Sequence, residues 1–264
     1  MEENLHTTPL RENLKQAFPS IKQSFAILGI ILILSVGGMP ILIASAFIPK
    51  VLTQPIAFML YYLFVFGGAL FMSYIYKQHV EKKKPELSSL KISDTLLIPL
   101  TMLCAITLLI GITIPIIELI PIPEFLTHYF QNSRTGSNNI MTVLIVIVVA
   151  PLLEEFLFRG IILDGLLKRY SPTKAIWVSS ILFGLMHFNP WQFVSAMIVG
   201  LLAGWIYYRT KELLLCILIH LANNAWATFS AVAFENRTGD SLHATNHFIY
   251  VAPALLVAFL CLYL

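Results

Sequence analysis

Charge is scarce in this chain. Asp, Glu, Lys and Arg together make up 12% of 264 residues, against 58% hydrophobic residues, and the mean hydropathy is +0.80. A soluble domain wets its surface with roughly twice that share of charge, so a soluble globular enzyme is excluded. Cysteine is also rare. Cys104, Cys216 and Cys261 lie inside apolar runs and form no CxxC pair, which excludes a disulfide framework and a thiolate metal site. Seventeen Lys and Arg with a net charge of +3 are too few for a nucleic-acid footprint. The chain has no repeat of fixed spacing and no low-complexity tract.

What it has is apolar runs of about 20 residues, the length that spans a bilayer as a helix. They cover 25–48, 52–76, 95–120, 139–167, 173–188, 191–208, 213–234 and 248–264. The expected fold is all-α, a polytopic transmembrane bundle of about eight helices forming a single integral membrane domain over 1–264. Ala44-Ser45-Ala46 imitates a signal-peptidase site, but the run before it is too long and further spans follow. The fifth run, about 16 residues or roughly 24 Å, is short for a ~30 Å hydrocarbon layer. Asn189-Pro190 divides it from the sixth, because proline lacks the amide hydrogen that a continuous helix uses.

Basic residues orient the spans. With a cytoplasmic amino terminus, thirteen fall inside: Arg11, Lys15, Lys22, Lys77, Lys82, Lys83, Lys84, Lys91, Lys168, Arg169, Lys174, Arg209 and Lys211. Lys50, Arg134 and Arg237 fall outside, and Arg159 lies within a span. Both termini are therefore expected in the cytoplasm. Asn236-Arg237-Thr238 is a formal glycosylation sequon on the outer side, too common a pattern to fix a source. The aromatics Tyr61, Tyr62, Tyr74, Tyr76, Trp205, Tyr207 and Tyr208 read as interfacial anchors with no chemistry.

The informative residues are polar ones at hydrocarbon depth. Glu154, Glu155 and Arg159 interrupt the fourth run, and an uncompensated charge there costs several kcal/mol or changes protonation. Glu155 and Arg159 are spaced to pair along one helix face. Glu154 points about 100° away and is not satisfied by that pair, which makes it the better candidate for chemistry. Phe183 stands one turn before His187, and His220 and Asn224 share a face of the seventh run. Counted from the inner ends at 1.5 Å per residue, Glu154 lies about 21 Å deep, His187 about 20 Å, His220 about 14 Å and Asn224 about 20 Å. Residues from helices of different direction thus reach overlapping depths. Such a cluster encloses water, a metal, or both. Glu154 is placed to take a proton from water, with a histidine orienting that water and Asn224 donating to an oxyanion. Glu154, His187 and His220 also suit a three-ligand zinc site with an open position, a less specific reading because they lack a contiguous HExxH sequence. Ser179, Ser180 and Ser195 have no distinctive nucleophile setting.

At these residues the chain resembles the CPBP family of intramembrane proteases, also called Abi, which is related to the CAAX prenyl endopeptidase Rce1. The paired glutamates followed by arginine match Glu154, Glu155 and Arg159. The phenylalanine-to-histidine pattern matches Phe183 and His187, and the final pattern matches His220 and Asn224. The likeness covers roughly 140–232, which marks a catalytic core region. It implies peptide-bond hydrolysis within or near the membrane. Glu154, His187, His220 and Asn224 are then catalytic, and Glu155, Arg159 and Phe183 support them. It leaves open a zinc metalloprotease and a metal-independent, glutamate-assisted mechanism. It implies membrane lipids and a membrane-associated peptide or protein substrate as partners, with no nucleic acid. Compact length and sparse loops point to a bacterial cell membrane, where family members are associated with peptide maturation, bacteriocin production or self-immunity. Two other readings fit the same polar residues, an ion- or proton-coupled membrane carrier and a non-catalytic immunity-binding protein.

Overall fold

A computed structural model describes residues 17–47, 50–82, 90, 97–108 and 139–235, with isolated positions between 112 and 121. Seven helical segments carry nearly all of these residues, and no strand is present among them. α1 is Ile21–Ala46. α2 runs without a break through Lys50–Tyr62, a π-helical stretch Leu63–Gly67 and Gly68–Glu81. α3 is Leu97–Leu108. α4 begins at Ile140 and ends at Leu167, with π-helical stretches at Ile145–Val149 and Phe156–Leu163. α5 is Pro172–Leu185, α6 is Pro190–Thr210 and α7 is Leu213–Glu235. The eighth run, the sequon, the chain's two ends and part of the third run lie outside the described residues.

Four helical stretches are long and apolar enough to cross a membrane: Ile21–Ala46, Gln54–Glu81, Ile140–Leu167 and Pro190–Thr210. The protein is thus an all-α polytopic membrane bundle. Ile33 and Val36 on α1 are each 73% exposed, a face that lipid solvates and water does not. α5 has 14 residues, about 21 Å, which is short for a span.

Local chemistry sets the boundaries. Ser20 caps α1 in a reciprocal box, accepting from the Gln23 amide at 3.4 Å while its own amide donates to Gln23 Oε1 at 2.8 Å. Asn189 caps α6 through the Gln192 amide at 2.8 Å, with Pro190 in the first turn where its missing N–H costs nothing. α5 stops at Leu185, three residues before the end of the fifth run. Phe188 takes φ = 54°, a left-handed conformation that terminates the helix ahead of the Asn-Pro step. His187 consequently sits in the turn after α5 instead of on its regular face.

α5 and α6 form the most extensive helix pair, α1 packs along α2, and α7 packs against α3, α4 and α6. One end of the bundle collects the charges. Lys77 and Lys168 both donate to Asp164 Oδ2, at 3.3 and 2.6 Å. The Phe18 amide donates to Glu81 Oε1 at 3.1 Å, and Arg169 Nε donates to the Ala17 carbonyl. The start of α1 and the ends of α2 and α4 are thereby fastened together, so Lys77, Lys168 and Arg169, assigned to one side by their spacing, do share one end.

Gly165 makes this fastening possible, because a Cβ there would lie 2.2 Å from the Phe18 carbonyl oxygen. Gly165→Ala is expected to cost about 1–3 kcal/mol through displacement of that segment. Gly29→Ala, with nothing within 4 Å, is expected to be neutral or to raise stability by up to ~1 kcal/mol. Thermal unfolding in detergent checks the pair, and equal effects at the two positions would contradict the assigned contact.

Candidate active site

Glu155 is the centre of the polar cluster. Its Oε1 accepts from Arg159 Nη1 at 2.7 Å and from His220 Nδ1 at 2.9 Å. Glu155 and Arg159 are 0% and 1% exposed, so neither charge is relieved by solvent and each needs the other. Arg159 also donates through Nη2 to the Gly200 carbonyl at 3.3 Å, and its guanidinium carbon stands 4.5 Å from the centroid of the Phe183 ring. The expected Glu155–Arg159 pair is therefore present, and it connects α4 with α5, α6 and α7.

The second glutamate is placed differently. Glu154 Oε1 accepts from the Tyr62 hydroxyl. Its Oε2 is buried with no hydrogen-bond partner and lies 3.9 Å from His220 Nε2, beyond direct hydrogen-bonding distance. The acceptor character of the Glu155 carboxylate assigns a proton to His220 Nδ1 and turns Nε2 toward Glu154. Glu154 and His220, about 7 Å apart by the depth count, thus face one another across a short gap.

Phe183 joins the two histidines. Its ring makes edge contacts with His187 at 5.5 Å and with His220 at 5.4 Å between centroids, and Phe158 packs on it at 5.0 Å. His187 Nδ1 faces the Phe183 carbonyl at 3.0 Å, which assigns its proton there and leaves Nε2 as an acceptor. Asn224 donates to the Val146 carbonyl at 3.0 Å and accepts from Asn223 Nδ2 at 3.1 Å. Val146 belongs to the Ile145–Val149 π stretch, whose irregular winding makes carbonyls available to side chains. The structure therefore brings Glu154, Glu155, Arg159, His220 and Phe183 into one cluster. His187 borders it through the phenylalanine ring, and Asn224 is anchored to backbone beside it.

Two of the aromatics expected as interfacial anchors are placed otherwise: Tyr207 is buried in the core at 2% exposure, and Tyr62 reaches the polar cluster. It is half-buried and points at a buried carboxylate, whereas an interfacial anchor directs its hydroxyl to the headgroups. The depth arithmetic carried the signal: Tyr62 lies about 22 Å from Lys77, the same depth as Glu154.

Zinc requires a third donor. Among the described residues no three His, Cys, Asp or Glu side chains stand close enough together to hold a metal ion. Glu154 and His220 approach one another within 3.9 Å, and His187, whose Nδ1 contacts the Phe183 carbonyl, does not complete a group of three with them. The fit to a three-ligand site is thus incomplete in this arrangement.

Comparison with known proteins bears on the same segment. Residues 136–226 match the family described as Type II CAAX prenyl endopeptidase Rce1-like. The chain is 29% identical over 86 residues to "Putative membrane peptidase YdiL" of Bacillus subtilis (strain 168), covering 33% of this chain and 35% of that protein. It is 34% identical over 104 residues to an Escherichia coli protein named only as an uncharacterized 24.3 kDa protein, covering 37% and 46%. It is 31% identical over 91 residues to the membrane-embedded CAAX protease MroQ of Staphylococcus aureus (strain USA300), covering 32% and 36%. The matched region spans less than half the length of each relative. No solved structure matches the chain at a significant level. The resemblance to the CPBP family read from the motifs is supported by these matches, and the Rce1-like segment contains every residue of the polar cluster except Tyr62.

Loss of one partner from a buried pair exposes the other's desolvation. Arg159→Met is expected to lower unfolding stability by about 3–5 kcal/mol. Lys168→Met, at a residue whose side chain is 42% exposed in its pair with Asp164, should change it by about 0–1 kcal/mol. Denaturant unfolding in micelles distinguishes these outcomes, and a tolerated Arg159→Met would contradict the buried ion pair.

Proposed function

We propose that this protein is an intramembrane endopeptidase that hydrolyses a peptide bond in a membrane-associated peptide or protein. The observation that carries the reading is the facing of Glu154 Oε2 and His220 Nε2 across 3.9 Å. That separation suits one water held by the two groups. Similarity of residues 136–226 to Rce1-like endopeptidases supports the same chemistry.

In this mechanism Glu154 takes a proton from the water as the oxygen bonds to the scissile carbonyl carbon. Asn224 keeps one amide hydrogen beyond the one given to Val146, and it donates that hydrogen to the oxyanion. The carbon–nitrogen bond then breaks, and the proton held on Glu154 passes to the leaving amine. His220 stays oriented by its Nδ1 contact with Glu155, so the imidazole presents Nε2 without a rotamer search. His187 Nε2 borders the same pocket and is available to accept a hydrogen bond from substrate amide N–H. The basic bias supports placing the charged end in the cytoplasm, and the sparse loops support a bacterial membrane.

Glu154→Gln removes the base and keeps the side-chain volume. In a bilayer preparation it is expected to lower cleavage of a membrane-associated peptide by at least ~100-fold, with helical content and unfolding temperature retained. Full turnover by this variant, or substrate flux through sealed vesicles without hydrolysis, would overturn the reading. Because only two metal donors face each other, exhaustive chelation is expected to leave activity within about twofold of the untreated protein. Activity lost on chelation and recovered with zinc would instead establish the metalloprotease mechanism.

A further inference from the structure

We propose that Tyr62 is a positioning residue for Glu154, holding one carboxylate oxygen so that the other faces His220; the proposal rests on the protease reading of this site. The hydroxyl of Tyr62 donates to Glu154 Oε1. A glutamate carboxylate turns in a broad, roughly two-fold torsional well, so a single fixed donor on one oxygen decides where the other points. Here the other is Oε2, buried, without a hydrogen-bond partner and 3.9 Å from His220 Nε2.

Tyr62 is itself held. Its ring stacks on Phe66 at 4.6 Å with 22° between planes, and Phe58 tilts against it at 6.0 Å. It ends the regular helix Lys50–Tyr62 and precedes the π stretch Leu63–Gly67. That stretch changes the helical phase, so the residues on either side of it cannot follow one uninterrupted face. A donor on α2 thereby joins a site otherwise built from α4 to α7. Tyr62 lies outside the segment that matches the Rce1-like family, which begins at residue 136 and contains Glu154.

The test uses Tyr62→Phe in the full chain, reconstituted in lipid nanodiscs, with Tyr61→Phe as the neighbouring control. The probe is infrared difference spectroscopy of the Glu154 carboxyl band, identified by its loss in Glu154→Gln. Cleavage of a membrane-associated peptide is measured alongside. Loss of a hydrogen bond to a charged group is expected to lower kcat about ten- to a hundredfold, with KM within about twofold because substrate contacts are untouched. The Glu154 band is expected to move in Tyr62→Phe and to stay in place in Tyr61→Phe. An unmoved band overturns the contact, and a change confined to KM overturns the positioning role. If the unaltered protein cleaves no peptide while the band still moves, the protease reading fails and the role in turnover falls with it, an outcome distinct from an unmoved band. Should Tyr62→Phe unfold, 3-fluorotyrosine at position 62 alters the donor with little change in volume and must move the same band.

Discussion

A single carboxylate oxygen organises this bundle. Glu155 Oε1 accepts from Arg159 and His220 together, in surroundings where neither water nor salt screens the charges. Arg159 extends the connection to the Gly200 carbonyl and to the face of Phe183. Four helices, α4 to α7, are thus linked through one charge pair. Breaking any one link leaves a charge or donor stranded in apolar surroundings, which is why this centre also fixes the relative placement of the helices.

The same contact sets the chemistry available to its neighbours. By engaging His220 Nδ1, Glu155 directs the other imidazole nitrogen toward Glu154. The two adjacent glutamates consequently divide their roles by environment. Glu155 holds a cation and an imidazole on Oε1, while its Oε2 is buried without a hydrogen-bond partner. Glu154 has one oxygen with Tyr62 and one with no protein donor. Buried acceptors without donors are uncommon in folded proteins and recur where a site must receive something.

The chain announced its membrane class through long apolar runs, since lipid solvates a helix all round and no amphipathic period has to be found. It also announced the Glu154, Glu155, Arg159 and His220 cluster, because charge at hydrocarbon depth demands partners and depth can be counted along a helix. The remainder depended on departures from regular winding. The π stretches within α2 and α4 have no signature in residue type, so the Val146 carbonyl as a partner for Asn224 could not be read from spacing, and for Tyr62 spacing gave the depth but not the contact with Glu154. His187 left its helix because of a left-handed Phe188, a backbone choice that the Asn-Pro step suggests but does not locate.

Hydrolysis in this site depends on the orientation of His220. Nitrogen-15 NMR of selectively labelled histidine in bilayers, with the His220 signal assigned by its loss in His220→Gln, reads that orientation without any substrate. The arrangement requires a proton on Nδ1, donated to Glu155. A proton on Nε2 with a bare Nδ1 would mean that Glu155 does not hold the ring, and the facing of His220 and Glu154 would no longer support hydrolysis.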